Sequence, residues 1–326
     1  MLIILLTNSY KCKSNIEITL TDSSTWVINK SLLFDKNDNP KNTDIEKIIQ
    51  LLESRNGHGS KVTKSEFIKL FDRPESKTVY SKMLLKYATP HSTQIQEKEA
   101  EDYSKVFMQE KRILKGVQFI KDNYYLLNNA EKKYGVHKKD IVSILMWESG
   151  LGEFTGNFQI FNIFLGQILY LEKAQKFTVE ELLKKGEINP LNDIAIRNSA
   201  DKRLKKIKKT AIASIVSLLR ECKKNNMDPL KQIGSWGGAI GYVQFMPFNL
   251  HLTVDGDDNG TKDLFSFPDA IYSCANFLKN YAKYAVNDKK RAKAIYRYNP
   301  STNYVKGVIL YADTIWERFV KENNKN

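Results

Sequence analysis

Residues 234–247 read GSWGGAIGYVQFMP, and this stretch differs from the lysine-rich sequence around it. It combines four glycines, three large aromatic residues and one glutamine in fourteen positions. Glycine backbone can lie close to a ligand, and Gln244 and Ser235 would then supply fixed hydrogen bonds. The alternative is tight packing inside the protein. No lysine followed by serine or threonine comes after the last glycine, so the stretch is not a phosphate-binding loop.

Composition and charge narrow the classes of partner. The 326 residues are enough for one large domain or two ordinary ones, and 51 Lys and Arg against 37 Asp and Glu give a net charge of +14. Such a charge favours anionic partners: nucleic acid, an anionic membrane surface or an acidic cell-wall polymer. No nucleic-acid-binding motif is present, so nucleic acid is not an expected partner. The dense basic run at residues 202–209 is interpreted as a solvated helix face.

Apolar periodicity predicts a mainly α (α+β) fold. Residues 1–42 are β-prone and loop-like, with a hairpin predicted from 16–21 and 25–28, and we expect this segment to be loosely attached. Helical periodicity takes over at Thr43, giving an accessory helical part over 43–100 and a core over 101–326. One helix is predicted from Ile113 to a stop at Gly135.

Neither the apolar segments nor the cysteines indicate where in the cell the protein acts. No run of eighteen apolar residues predicts a membrane span. The opening MLIILL is too short for a signal-peptide core but fits the remnant of one, or part of a membrane anchor. Cys12, Cys222 and Cys274 form neither a disulfide framework nor a metal-ligand spacing. Location must therefore follow from function.

Glu148 stands out as a candidate general acid. The seven residues before it, 141–147, are apolar nearly all round, which predicts a helix buried on every side. Gly150 and Gly152 then end that helix, so the carboxyl group lies at a buried helix C-terminus. Burial and the negative end of the helix dipole both disfavour the ionised form and should raise its pKa. The alternative is a glutamate that reaches solvent at the helix end.

Three segments of the sequence resemble those of a known protein family. MWESGLG at 146–152, GSWGGAIGYVQFMP at 234–247 and RYNPS at 297–301 with YV at 304–305 resemble the signature segments of the membrane-bound lytic transglycosylase B family. FDRPE at 71–75 resembles an upstream element of that family. The resemblance implies a lysozyme-like helical core and cleavage of the β-1,4 bond between N-acetylmuramic acid and N-acetylglucosamine. The product would end in a 1,6-anhydro sugar, because the C6 hydroxyl of the substrate, instead of water, attacks the anomeric carbon. With the nucleophile supplied by the substrate, one carboxyl group suffices.

The resemblance also implies individual roles. Glu148 matches the acid and base, while residues matching substrate contacts are Tyr103, Ser235, Gln244, Tyr298 and Asn299. Two departures are visible: Trp147 and Ser149 stand where relatives carry a small residue and threonine, and the segment 158–200 is longer than usual. The arginine pair often found in that segment has no clear counterpart, which leaves its sugar subsites open.

A second constellation indicates calcium. In DGDDNGT at 255–261, oxygen side chains occupy positions one, three and five of a calcium loop with glycine at six. Ser266 stands where such a loop has its last glutamate, and the resemblance implies a later aspartate instead. The expected ligands are Asp255, Asp257, Asn259, Thr261 and Asp269. The alternative is a solvated turn.

The sequence therefore predicts a monomeric peptidoglycan lytic transglycosylase of the periplasm or cell envelope that acts on glycan strands. We expect the reaction to need no cofactor, and any bound calcium would be structural. Anionic wall polymers or cell-wall machinery are further candidate partners. Two alternatives stay open: a hydrolytic muramidase, and a catalytically weak wall-binding or assembly protein.

Overall fold

A computed structural model describes residues 26–88, 106–186 and 194–324, with the side chains of 194–200 left aside. The prediction of a mainly α fold is confirmed. The helices are α1 (Lys30–Leu33), α2 (Thr43–Glu53), α3 (Lys64–Lys69), α4 (Ser81–Ala88), α5 (Glu110–Asp122), α6 (Tyr124–Tyr134), α7 (Lys138–Ser149), α8 (Ile160–Lys184), α9 (Ile194–Lys224), α10 (Phe267–Asn276), α11 (Asp288–Tyr298) and α12 (Thr302–Asn323).

Shorter elements join these helices. A two-stranded antiparallel sheet pairs β1 (Phe158–Gln159) with β2 (Ile233–Gly234). A π-helical turn continues α10 over Phe277–Tyr281. Turns of 3-10 helix span Leu70–Asp72, Pro74–Lys77, Pro229–Lys231 and Pro247–Leu252.

The N-terminal part is more firmly packed than the sequence predicts. Asn42, one residue before the predicted start, caps α2 by accepting from the backbone N–H groups of Asp44 and Ile45. Phe34 is buried against Phe67 and Phe71, with ring centroids 6.4 and 5.8 Å away. The expectation of a loosely attached segment is therefore wrong for residues 26–42, of which Ile28, Leu33 and Phe34 belong to the main core. Residues 26–28 form no strand, and the rest of the predicted hairpin lies outside the described residues.

The helix predicted from Ile113 to Gly135 is interrupted at Asn123, and that prediction of one helix is wrong. The side chain of Asn123 donates to the carbonyl of Phe119 at 3.1 Å, beside the backbone bond to the same oxygen. Such side-chain competition for a helix carbonyl favours a break, and α5 ends there. Gly135 does end α6, with φ of +63° in the left-handed region.

Helix α7 lies at the centre of the core. Every described side chain from Lys138 to Ser149 is buried except Lys139. At its N-terminal end, the buried Asp140 pairs with Arg291 of α11 at 2.6 Å and accepts from the Tyr284 hydroxyl. Arg291 also pairs with Asp313 of α12 at 2.9 Å. This network ties α7 to α11 and α12.

Helices α8 and α9 form a long antiparallel hairpin that accounts for the unusual length of 158–200. They are 25 and 31 residues long and pack against each other. In the basic run of α9, Lys208 pairs with Asp44 and Glu172, at 2.7 and 3.1 Å. The exposed lysines of that run recur at spacings of three and four residues, as a solvated face requires: Lys202, Lys205, Lys206 and Lys209.

Candidate active site

Glu148 lies on the last turn of α7 and is 5% exposed. The helix ends because Gly150 adopts φ of +60°, and the N–H of Leu151 bonds back to the carbonyl of Leu145 at 3.1 Å. Lys115 of α5 donates to the carbonyl of Gly150 at 2.7 Å. The end of the helix is therefore fixed by backbone and side-chain bonds, and the carboxyl group cannot escape to solvent as the alternative reading supposed.

Burial dominates the electrostatics of this carboxyl group. It raises the pKa of Glu148 to about 8, although the hydroxyl of Tyr304 donates to Oε1 at 2.6 Å and opposes the rise. Tyr298 and Cys274 are the other ionisable neighbours, and burial holds the pKa of both well above the ordinary range. Within the described ranges, no second carboxylate contributes to the pKa of Glu148. The site thus holds one carboxyl group that is largely protonated near neutral pH.

The loop after Glu148 packs along the glycine-rich stretch. A methyl group built on Gly152 would lie 3.1 Å from the ring of Tyr242, and one on Gly156 would lie 2.4 Å from the carbonyl oxygen of Gly234. Gln244 donates from Nε2 to the carbonyl of Gly241 at 2.8 Å. The loop that follows Glu148 and the glycine-rich stretch therefore pack directly against each other.

Three glycines of that stretch face protein atoms. A Cβ on Gly234 would lie 2.1 Å from the carbonyl oxygen of Ala239, and one on Gly238 would lie 2.2 Å from the Phe164 ring. At Gly241 the same atom would lie 2.3 Å from Leu264. These glycines serve tight internal packing, the alternative that the sequence left open, and the loop that they form carries the polar residues.

Ser235 and Gln244 hold different positions in that loop. The Ser235 hydroxyl accepts from the N–H of Ala239 at 3.0 Å and is buried, so it fixes the turn. Gln244 has φ of +48°, in the left-handed region that favours glycine. Its Oε1 is buried and has no hydrogen-bond partner among the described residues. An unpaired buried acceptor costs free energy until a donor reaches it, which suits a ligand hydroxyl or amide.

Tyr298 and Asn299 end α11 beside the same loop. The Tyr298 hydroxyl donates to the carbonyl of Val243 at 2.6 Å, and its ring packs on Phe245 and Phe277. Both Tyr298 and Asn299 are buried. Tyr298 therefore supports the residue next to Gln244 with its polar end already engaged. Tyr103 lies outside the described residues.

Tyr304 is the site residue that sequence reasoning missed. It lies in the first turn of α12, six positions after Tyr298, and is fully buried. The segment RYNPSTNY contains it, but no pattern in the sequence indicates that its hydroxyl meets a carboxyl group 156 positions earlier. The available signal was its place, with Val305, in a segment that resembles a signature of the family, to which no role for Tyr304 was attached.

The predicted calcium loop is compact. Carboxylate oxygens of Asp255, Asp257 and Asp269 lie within 4.8 Å of one another, close enough to bind one ion. Asp269 is buried and accepts from the N–H groups of Gly256 and Asp263, at 2.7 and 2.6 Å. Burial, with the nearby Asp257 and Asp255, raises the pKa of Asp269.

The other two predicted ligands are arranged differently. The side-chain oxygen of Asn259 accepts from the N–H of Thr261 at 2.8 Å and from its hydroxyl. Thr261 is exposed. The structure thus brings three of the five predicted ligands together through their side chains.

Comparison with known proteins identifies the family of this chain. Residues 49–289 match the family model described as transglycosylase SLT domain. The chain belongs to this family. Within it, the chain is 27% identical over 179 residues to membrane-bound lytic murein transglycosylase B of Escherichia coli (strain K12). That match covers 54% of this chain and 40% of the relative, so the chain spans less than half the length of the curated relative.

Solved structures of transglycosylases share the fold. The Escherichia coli lytic transglycosylase Slt35 in complex with calcium superposes with a TM-score of 0.63 at 17% identity, over 90% of this chain and 99% of that chain. The soluble lytic transglycosylase SltB1 from Pseudomonas aeruginosa superposes with a TM-score of 0.50 at 23% identity, over 66% and 82% of the two chains. In the described part of the chain, every helix is too short or too polar to span a membrane.

Proposed function

We propose that this protein is a peptidoglycan lytic transglycosylase that cleaves the β-1,4 bond between N-acetylmuramic acid and N-acetylglucosamine. The observation that carries the proposal is the buried Glu148 carboxyl group, whose pKa of about 8 keeps it protonated at neutral pH. Membership of the transglycosylase SLT domain family supports the same reaction class.

The chemistry needs one carboxyl group in two states. Protonated Glu148 first gives its proton to the glycosidic oxygen as the bond to the anomeric carbon breaks. The resulting carboxylate then takes the proton of the C6 hydroxyl as that oxygen bonds to the anomeric carbon. The hydroxyl of Tyr304 already donates to Oε1 and would stabilise the carboxylate between the two steps.

The glycan would be held by the loop beside Glu148. The Oε1 atom of Gln244, which has no partner in the described part of the chain, is the acceptor that a sugar hydroxyl or acetamido N–H would reach. Ser235, Tyr298 and Asn299 would act on substrate chiefly by fixing this loop, because Ser235 and Tyr298 already bond to its backbone. Tyr103 stays a proposed contact by resemblance alone.

The test is digestion of purified sacculi in water enriched in oxygen-18, with the released muropeptides analysed by mass spectrometry. A lytic transglycosylase gives anhydro ends and incorporates no label, whereas a hydrolytic muramidase gives reducing ends that carry it. Glu148→Gln should lower release by about two to four orders of magnitude while the protein stays folded. A wall-binding protein without activity would pellet with sacculi and release neither product.

We infer that the acidic loop binds a structural calcium ion. Three carboxylates within 4.8 Å of one another form a hard-oxygen site, and Asp269 is held in place by two backbone N–H groups. The solved structure of Slt35 in complex with calcium supports the idea for a protein of this fold. The ion would join the loop after the glycine-rich stretch to the start of α10, and it has no step in the reaction.

We propose that the protein acts in the periplasm or elsewhere in the cell envelope, where peptidoglycan lies. The curated relative is a membrane-bound enzyme. The net charge of +14 would favour retention on anionic wall material. We propose that the protein acts as a monomer, needs no cofactor for the reaction and engages no nucleic acid.

A further inference from the structure

Trp147 immediately precedes Glu148 on α7, and its indole is buried where α7 meets α12. The ring packs against Phe107 at 4.7 Å between centroids and meets the Tyr304 ring edge-on at 5.6 Å. On the facing helix, a Cβ built on Gly307 would lie 2.2 Å from Cζ2 of Trp147 and 2.3 Å from Cη2. Only glycine at position 307 leaves room for this indole.

The contact carries two local costs. Glycine inside a helix destabilises it by roughly 0.5–1 kcal/mol relative to alanine, and Gly307 lies inside α12. The indole Nε1 is buried and has no hydrogen-bond partner in the part of the chain that the structure describes. An apolar side chain would avoid the second cost. Both the glycine inside α12 and this indole are locally unfavourable, and they lie beside the active-site carboxyl group. This combination indicates that the shape of the contact serves function.

Helix α12 is anchored without Trp147. Ser143 of α7 donates to the carbonyl of Val308 at 2.7 Å, and Tyr311 donates to the carbonyl of Arg112 at 2.7 Å. Tyr304, however, lies in the first turn, where backbone bonds are fewest, and is capped by Ser301 at 3.3 Å. Loss of the indole would therefore free the Tyr304 ring more than it would displace the helix.

We propose that Trp147 and Gly307 form a positioning pair that holds the Tyr304 hydroxyl on the carboxyl group of Glu148 and so controls how readily Glu148 releases its proton. This inference rests on the proposed role of Glu148 as acid and base. Among the described residues, the ionisable groups that face the carboxyl are Tyr304 from α12, Tyr298 from α11 and Cys274 from α10. All three are neutral near pH 8, so the Tyr304 hydrogen bond is the interaction by which this pair acts.

The test titrates the side-chain carboxyl of Glu148 by carbon-13 NMR, with its resonance identified by its loss in Glu148→Gln. Tyr304→Phe should raise the pKa of Glu148 by about one pH unit or more, since hydrogen bonds to charged groups contribute about 1.5–3 kcal/mol. Trp147→Phe should also raise the pKa of Glu148. The pH at which kcat/KM falls on the alkaline side should rise with it. In a Tyr304→Phe background, Trp147→Phe should cause no further rise.

Reciprocal size changes test the pair. Gly307→Ala should also raise the pKa of Glu148, because its methyl group displaces the indole. Trp147→Phe combined with Gly307→Ala should recover at least half of the shift, since the methyl fills part of the space that the indole leaves. The control is Trp316→Phe, because Trp316 lies on the same helix and packs against His137. This substitution should lower stability and leave the titration of Glu148 unchanged.

Clear outcomes overturn the inference. They are an unchanged titration in folded Trp147→Phe or folded Gly307→Ala, an equal rise in the Tyr304→Phe background, or no recovery in the double variant. If Trp147→Phe does not fold, Trp147→Met, whose flexible side chain adapts to irregular space without fixing the tyrosine ring, carries the same expectation. The titration needs no substrate, so a wild type that releases no anhydro ends would overturn the proposed function and leave this test decisive.

Discussion

Replacing Glu148 by glutamine should stabilise the protein while abolishing its lytic activity. The folded-state pKa of about 8 lies above the ordinary value of 4.5, so the group contributes most to stability at low pH and loses that contribution as pH rises from 4.5 to 8. At pH 7 the unfolded carboxyl is ionised and the folded one is protonated. With 1.36 kcal/mol for each pH unit between 4.5 and 7, the cost is about 3 kcal/mol.

Glutamine removes this cost because it is neutral in both states, and its side-chain oxygen can still accept from Tyr304. The expected gain for Glu148→Gln is therefore about 3 kcal/mol at pH 7 and below about 1 kcal/mol at pH 5. A typical domain is stable by about 5–15 kcal/mol, so the difference is well within reach of denaturant unfolding. The assay is urea unfolding of both proteins at pH 5, 6, 7 and 8, without substrate.

Glu153, five positions further on, offers a control of opposite sign. Burial tends to raise its pKa, but the ion pairs with Lys115 and Arg112 outweigh that and lower it. Glu153→Gln should therefore destabilise the protein at pH 7 and have less effect as pH falls. If Glu148→Gln is no more stable than the wild type at pH 7, with an unchanged slope against urea, the folded carboxyl is ionised and cannot be the proton donor that we propose.

Three further predictions concern the loop, the metal and the charge. Tyr298→Phe should lower the unfolding free energy by about 1–3 kcal/mol, because the buried carbonyl of Val243 loses its hydroxyl donor; an unchanged urea midpoint would contradict this. Millimolar calcium should raise the melting temperature of the wild type but not of Asp255→Ala with Asp257→Ala, since an ion bound only by the folded state stabilises it; no rise in the wild type would mean an ordinary turn. Binding to sacculi should weaken between about 0.1 and 1 M NaCl, as the screening length falls from about 10 to 3 Å, and salt-independent pelleting would exclude charge as its basis.

The position of Glu148 could be predicted because its causes are local. An apolar run too uniform for an amphipathic helix, followed by two glycines, dictates a buried helix with a carboxyl group at its end. Both features lie within a dozen residues of the chain. The raised pKa follows from burial, so it too could be expected before the structure was known.

The partners of Glu148 could not be predicted in this way. Tyr304 approaches from a helix 156 positions later, and Asp140 meets Arg291 151 positions later. No periodicity states which tyrosine or guanidinium will reach a given carboxylate, because that depends on how whole helices dock. The break at Asn123 was missed for a smaller reason: one side chain competes for the carbonyl of Phe119 inside an otherwise regular apolar pattern.

The same division explains the glycine-rich stretch. Its glycines suggested contact with a ligand, yet Gly234, Gly238 and Gly241 each lie against protein atoms. Without the structure, glycine that admits a sugar and glycine that admits a phenylalanine ring are indistinguishable, since both need only the absence of Cβ. The loop still belongs to the site, because its tight packing brings Gln244 to a position that glycine would ordinarily hold.

Glu148 and Gln244 share one energetic property. Glu148 is a carboxyl group whose ionisation is suppressed at a cost of about 3 kcal/mol at pH 7. Gln244 has a left-handed backbone, and its buried Oε1 has no hydrogen-bond partner among the described residues, features that cost of order 1–3 kcal/mol each. Both costs fall when a glycan arrives, because an ether oxygen can take the proton of Glu148 and a sugar donor can reach Gln244. By contrast, the buried Asp140 and Arg291 pair with each other, and Arg291 also pairs with Asp313. The two groups that a substrate would relieve are therefore the strongest physical argument that this loop and the end of α7 form a glycan site.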